Sequence, residues 1–289
     1  MQYSTFAAID IGSYDVILEI FEISKKQGIR SVDKICHRME LGKDTYTLGK
    51  IRPEMEEELC RVLADFVRIM EGYRVDDYRA TASSAISEAS NSLYVLGKIH
   101  QLTGLSVTVL SNSEQRFLSY KALAAMEDNF NKIIEKGTAI LDLDGGSFQI
   151  SLFDKDALVT TQNIRMGSLR IRERLAGIQS ETEHYEEMVE ELIWNEVSSF
   201  KKMYLKDRKI ENIMLIGDVF TDSVYQNIEE KTTKIISREN FNTWYEKIIR
   251  QSPMELAVKL GIPLENASLM YPSAVIYKCL IDMMGAEHI

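Results

Sequence analysis

The spacing of apolar and polar residues changes period several times along the chain, and each change marks an element. Residues 5–21 carry an apolar run, a turn at Ile11-Gly12-Ser13-Tyr14-Asp15 and a second apolar run, the pattern of two strands in a tight hairpin. A third strand is expected over 31–39. Behind Pro53, which suits a first helical turn, Met55, Leu59, Leu63, Phe66 and Ile69 recur at helical spacing and predict a helix over 53–72. A strand and turn of small residues over 79–85, a helix over 91–101, a strand over 105–110 and a helix over 113–126 with Ser113 as its cap complete the first half.

The second half opens the same way. Residues 138–152 give an apolar run, the turn Asp142-Leu143-Asp144-Gly145-Gly146-Ser147, and another apolar run. A strand over 157–164, helices over 181–204, a buried strand over 212–216, a short helix over 253–260 and a last helix over 273–284 follow. Two halves that each begin with an Asp-bearing, Gly-turned hairpin predict a duplicated α/β fold, divided at 1–126 and 127–289, with a cleft between the lobes and the final helix packing back on the first.

Composition narrows the function classes. At 289 residues and 45% hydrophobic content the chain can bury a core in each half, and 4 prolines and 15 glycines leave little room for long irregular segments. A formal charge of -10 argues against nucleic acid held by bulk electrostatics, so any phosphate site must be local. Cys36, Cys60 and Cys279 lack metal or redox spacing and suggest free thiols in a reducing compartment. With no apolar run of spanning length, no membrane is expected as a partner, and the protein is read as cytoplasmic.

A turn that binds phosphate brings backbone N–H groups against oxygens, which needs glycine where a Cβ would intrude and small hydroxyls as extra donors. Gly12 and Ser13 in the first turn, and Gly145, Gly146 and Ser147 in the second, answer that description. Either turn alone is also what an ordinary hairpin uses; the pair in matching positions is the stronger signal. Asp10 and Asp142 end their strands as candidate carboxylates for Mg2+, joined by Asp144. The histidines are isolated. The run 181–187 reads as a solvated acidic helix face, and Arg165, Arg170, Arg172 and Arg174 as partners for such helices.

Five stretches carry a more specific resemblance: Phe6 to Ser13, Ala80 to Asn91, Val109 to Glu114, Leu141 to Ser147, and Met166-Gly167-Ser168-Leu169-Arg170. In this order and spacing they resemble the exopolyphosphatase/guanosine pentaphosphate phosphatase (Ppx/GppA) family in its short form. Leu269 to Ala274 is similar to that family's segment before its last helix. The resemblance implies two RNase H-like lobes of the actin-like ATPase type. It also implies Mg2+-dependent hydrolysis of a terminal phosphoanhydride in polyphosphate or a guanosine polyphosphate, with a glutamate activating water.

Several positions depart from the family pattern, and the departures share a direction. Tyr14 and Asp15 stand where that family has Asn-Ser, which predicts a ring and a negative charge crowding the first turn. Asp144 replaces a glycine of the second turn, Ser87 an arginine, and Asp218 joins a loop that has lost its second glycine. Gln115 takes the place of the expected base, leaving Glu114 as its acidic neighbour; an amide cannot accept the proton, although it can orient water. The expectation is therefore a Ppx/GppA-like phosphohydrolase homologue with a degenerate active site, its water handled by Glu114 or Gln115 if active. The alternative is a non-catalytic ligand-sensing or protein-interaction module. A sugar- or acetate-type kinase fits less well, because the loop at Gly217 is the most altered. The resemblance also implies a possible homodimer, to which Ile276, Leu280 and Met283 could contribute, though such a stripe is more often core.

Overall fold

Pairing in the first sheet begins directly at the first turn, where Ile11 lies opposite Val16, and runs antiparallel to Ser4 opposite Ile23. These strands are β1 (Ser4–Ile11) and β2 (Asp15–Ser24); β3 (Gly28–Arg38) extends the hairpin antiparallel to β2. On the other side of β1, β4 (Asp77–Ala82) and β5 (Val107–Val109) add in parallel, giving the order β3-β2-β1-β4-β5. The computed structural model describes residues 3–26, 28–126, 130–176, 185–206, 208–217, 220–221 and 235–289. The chain divides into two compact units, Met1–Arg116 and Phe117–Ile289.

Alternation places Ala7, Ile9 and Ile11 of β1 and Val16, Leu18 and Ile20 of β2 on one buried face. That face packs in one cluster with Leu59, Leu63 and Phe66 of α2 (Pro53–Gly72) and Val95 and Ile99 of α4 (Ser92–Thr103). Two shorter helices complete the unit, α1 (Leu41–Leu48) and α3 (Ser84–Ser87). Helix α1 was not expected from periodicity and is held by tertiary bonds. Asp44, only 2% exposed, accepts from the Arg52 backbone N–H and Nε at 2.9 Å, and the Thr45 hydroxyl donates to Ala85 O at 2.7 Å.

The second unit repeats the plan. Strands β6 (Thr138–Leu143), β7 (Phe148–Asp154) and β8 (Ala157–Ile164) are successively antiparallel, and β9 (Asn212–Ile216) lies parallel to β6, in the order β8-β7-β6-β9. Strand β6 is covered on both faces, which is why it reads as a continuous apolar run. Ala139, Leu141 and Leu143 face the larger cluster, whereas Ile140 joins Phe130, Ile134 and Phe153. The larger cluster is built with α7 (Ser168–Leu175), α8 (Tyr185–Phe200), α9 (Arg238–Ile249), α10 (Pro253–Leu260) and α11 (Leu264–Met284). The smaller is packed by α5 (Asn112–Met126) and α6 (Phe130–Ile134).

Helix α11 begins nine residues before the expected start and runs straight through Pro272. Proline lacks an N–H and disfavours a helix interior, but Leu269, Met270, Ala274 and Val275 on either side of it are buried in the larger cluster. Ile276, Leu280 and Met283 belong to the same cluster, so their stripe is core of this unit. The Tyr277 hydroxyl donates to Ile216 O at 3.0 Å and ties the helix to the end of β9. No described helix is long and apolar enough to cross a membrane.

Candidate functional site

In the first turn the hairpin closes on itself: Gly12 N–H donates to Asp15 O at 2.9 Å. Ser13 does not present its hydroxyl to solvent. It is 1% exposed, and its Oγ lies 2.6 Å from Tyr46 Oη and 3.2 Å from Ser84 Oγ, with Tyr46 Oη and Ser84 Oγ 2.9 Å apart. Three hydroxyls, each with one proton to give, thus form a ring in which every donor has an acceptor.

The negative charge expected at the first turn is present, the Asp15 carboxylate lying so close that a Cβ on Gly12 would stand 3.3 Å from its Oδ1. Tyr14 is buried, with the Arg38 guanidinium 5.2 Å from its ring centroid, and the Asp15 carboxylate is paired with Arg38 at 3.2 Å. The tyrosine that reaches the turn is Tyr46 of α1, which sequence reasoning missed because nothing in Leu41–Leu48 predicts that helix. Asp10 is open to water at the end of β1. Its pKa is nevertheless pushed up to about 6, first by desolvation and next by the neighbouring Asp15 carboxylate, against a weak hydrogen bond from the Thr81 hydroxyl at 3.4 Å.

Glu114 has a structural task at the start of α5. Ser111, not Ser113, is the cap: Ser111 N–H and Oγ donate to Glu114 Oε2 at 2.9 and 2.8 Å, and Glu114 N–H donates back to Ser111 Oγ at 3.3 Å. This reciprocal capping box satisfies backbone donors that the helix leaves open. The two bonds from Ser111 hold the Glu114 carboxyl below its ordinary pKa. Gln115 sits in the same first turn, its N–H bonded to Ser111 O. Ser87 is exposed and brings no cation to the arginine position it occupies.

The second turn is closed by Asp144 N–H donating to Ser147 O at 2.9 Å. Asp144 also turns its carboxylate inward, where Oδ1 accepts Gly145 N–H at 2.6 Å. That backbone donor is therefore taken by the chain's own anion. The carbonyls of the turn are engaged as well: Asp144 O accepts Ser168 N–H at 3.2 Å and Gly145 O accepts Arg170 N–H at 3.0 Å, while Arg170 Nε donates to Gly146 O at 2.8 Å. These bonds cap the N-terminus of α7 with backbone rather than with a side chain.

The approach is so close that a Cβ on Gly167 would lie 2.2 Å from Asp144 O, which explains the glycine of the Met166-Gly167-Ser168 motif. Ser147 Oγ accepts from Asn163 Nδ2 at 3.2 Å and keeps its own proton to give. Of the basic residues expected to pair with acidic helices, Arg172 pairs with Glu173 of its own helix at 2.6 Å.

Asp142, near the end of β6, accepts the Ser119 hydroxyl from α5 at 3.0 Å on Oδ2. Gly217, with φ +82, passes so near that a Cβ would stand 3.5 Å from Asp142 Oδ1. Burial raises the Asp142 pKa, with the Ser119 bond acting the other way. Across β7, the buried Gln149, Asp142's cross-strand partner, leaves Oε1 without a hydrogen bond. Asp218 and residues 181–184 lie outside the described residues. Among the described residues no three His, Cys, Asp or Glu side chains are grouped to hold a metal.

Two sheets that each begin with an antiparallel hairpin and add a parallel strand beside the first define a two-lobed α/β protein of the actin-like ATPase fold. The chain belongs to the Ppx/GppA phosphatase family, which it matches over residues 19–289, from within β2 onward. It is 21% identical to the bifunctional 3-dehydroquinate synthase/phosphatase of Fusobacterium nucleatum over 98% of this chain and 44% of that protein. It is 25% identical to exopolyphosphatase 1 of Mycobacterium leprae over 50% of this chain and 41% of that one. The chain thus spans less than half the length of these curated relatives. Among solved structures, an exopolyphosphatase from Cytophaga hutchinsonii superposes with a TM-score of 0.85 at 17% identity, covering 99% of this chain and 93% of that one. The Aquifex aeolicus Ppx/GppA family member gives 0.77 at 18%, covering 100% and 93%.

Proposed function

We propose that this protein is a phosphohydrolase homologue of the exopolyphosphatase or guanosine pentaphosphate phosphatase type whose hydrolytic centre is degenerate. The observation that carries the reading is the Asp144 carboxylate on Gly145 N–H at 2.6 Å. The substituted residue fills the turn's donor with an anion, so a phosphate oxygen arriving there meets a taken N–H and a like charge. The geometry of Glu114 supports the same reading. The carboxylate beside Gln115 is bound into a capping box, and moving it to activate water would open the start of α5.

Mg2+ is commonly held by one or two carboxylates together with waters and substrate phosphates, so a three-residue cage is not required. Asp142 fits that demand. Burial raises its pKa, a cost that a bound cation would offset, and Oδ1 stands clear of the Ser119 bond. Asp10 is a second candidate, and Asp144 is committed to its own turn. When bound, the ion would neutralise charge on phosphoryl oxygens. The alternative, a non-catalytic ligand-sensing or protein-interaction module that retains the fold, draws on the same self-satisfied turns.

The test is phosphate release from polyphosphate and from guanosine pentaphosphate with Mg2+ at high protein concentration. The expected result is turnover at the limit of detection for the wild type. The double variant Asp144→Gly/Gln115→Glu should raise it by about 100-fold, the low end of what general-base catalysis contributes. Robust wild-type turnover that falls in Asp142→Asn overturns the degenerate reading. No turnover in any form, together with thermal stabilisation by an added ligand, selects the sensing module.

A further inference from the structure

Helix α1 and the residue leading into it are fastened to two carbonyls of the first turn. At its start Gly42 N–H donates to Ser13 O at 2.8 Å, and Met39 N–H, just ahead of it, donates to Tyr14 O at 3.1 Å. One residue before Tyr46, the Thr45 hydroxyl donates to Ala85 O in α3 at 2.7 Å. Tyr46 lies four residues after Gly42 and so on the same helix face, and its hydroxyl reaches Ser13 and Ser84 together. The anchor is firm, because Asp44 is buried against Arg52.

Beside this ring, Ser83 is 8% exposed and its Oγ has no hydrogen-bond partner. A buried hydroxyl without a partner is uncommon and costs its desolvation. Here it stands next in sequence to Ser84, at the end of β4, so two hydroxyls of one turn are present and only one is engaged by Tyr46.

We propose that Tyr46 is a built-in stopper of the first turn: its phenol hydroxyl holds the Ser13 and Ser84 hydroxyls in place of an anionic oxygen, and its removal opens the turn to an inorganic polyphosphate. This rests on the reading of the chain as a phosphohydrolase homologue and deepens it by naming the residue that shuts the site. Asp144 plays the corresponding part in the second turn with a carboxylate; Tyr46 does it in the first with a neutral group. The donor count gives the mechanism. Ser13 has one proton, and while it circulates in the ring none is left for a ligand; without the phenol oxygen, Ser13 and Ser84 can satisfy only one donor between them and the other is released. Tyr46→Phe frees that donor and keeps the ring in place, whereas Tyr46→Ala also clears the space.

The experiment is calorimetric titration of the full chain with inorganic tripolyphosphate, in wild type, Tyr46→Phe, Tyr46→Ala and Tyr46→Ala/Ser13→Ala, each checked for its melting temperature. Expected is an affinity gain of at least about 10-fold in Tyr46→Ala, the scale of one charge-assisted hydrogen bond. A smaller gain should appear in Tyr46→Phe, and the gain should be lost in the double variant. Folded Tyr46 variants that bind no better than wild type overturn the proposal, as does a gain that survives Ser13→Ala. Should Tyr46→Ala fail to fold, Tyr46→Phe, whose ring still packs, carries the same test through its dependence on Ser13. Binding is read without turnover, so vigorous wild-type hydrolysis would refute the degenerate reading and leave the Tyr46 result to stand or fall separately.

Discussion

Gly167 offers the sharpest check on how the second turn is built. Its backbone, φ -76 and ψ 168, is one that any residue adopts, so conformational freedom does not explain the glycine. Contact does. A Cβ there would sit 2.2 Å from Asp144 O, 2.4 Å from Gly145 C and 2.5 Å from Gly145 O, where ordinary contact is 3.4–4 Å. Gly167→Ala must therefore push the strand β7 hairpin and α7 apart by more than about 1 Å. Overpacking of this kind costs roughly 1–3 kcal/mol. The same shift weakens the bonds from Ser168 and Arg170 N–H to Asp144 O and Gly145 O, worth about 1 kcal/mol each.

The total, roughly 3 to 5 kcal/mol, is a large share of a domain's stability. Gly261 supplies the control from the same unit. It closes α10 at φ +65 with nothing within 4 Å of a Cβ, so Gly261→Ala meets only the left-handed penalty of about 1 kcal/mol. Both tryptophans, Trp194 and Trp244, lie in Phe117–Ile289, so urea unfolding followed by tryptophan fluorescence reads this unit directly. Costs for Gly167→Ala and Gly261→Ala that agree within about 1 kcal/mol would refute the close-approach argument.

Two further outcomes are expected. Asp10, with a folded-state pKa of about 6 against an ordinary value near 3.9, keeps a proton in the folded state that the unfolded chain has lost, so its contribution to stability falls as pH rises from about 4 to 6. Asp10→Asn should be more stable than wild type at pH 7, with the difference closing toward pH 4; parallel melting curves across that range would refute the assignment. Asp44→Ala removes a buried carboxylate that accepts from Arg52 N–H and its guanidinium, and with Arg52 half-open to water the loss should be about 2 kcal/mol by urea unfolding. A loss under about 0.5 kcal/mol would mean that α1 is not anchored there.

What the sequence made legible follows from where periodicity reflects burial. The two hairpins and α2 were readable because alternation or a 3.6-residue stripe maps onto a single covered face, as with Leu59, Leu63 and Phe66. Helix α9 was also legible, with Ser237 capping Asn240 N–H and Phe241, Tyr245 and Ile248 at helical spacing, although the sequence reading passes over it. Helix α1 was not, because Gly42 and Thr45 are placed by partners distant in sequence and Asp44 by Arg52 beyond the helix end. The reading of the last helix began only after Pro272, where burial on both sides overrides propensity. At the candidate site the placing of Gly12 and Gly145 in hairpin turns was legible from residue type. The charge that Asp15 brings to the first turn was legible too, whereas its pairing with Arg38 and the burial of Tyr14 beside the same guanidinium are not written in a single turn's sequence.

The two turns share a logic that follows from counting donors. An open phosphate turn in water loses little when empty, because its N–H groups are hydrated; a ligand replaces water at small net gain per bond and wins through charge and number. Once a side chain of the same chain occupies such a donor, the ligand must displace a partner held at its station by neighbouring structure. For Gly145 N–H that partner is charged, and a hydrogen bond to a charged group is worth about 1.5–3 kcal/mol net. That is roughly a 10- to 100-fold loss in anion affinity before any repulsion between Asp144 and the incoming phosphate is counted. Ser13 loses its free donor by a neutral route, through Tyr46 and Ser84. On the proposed reading these side chains act by satisfying the turns internally, which would weaken phosphate binding while leaving intact the fold that presents it.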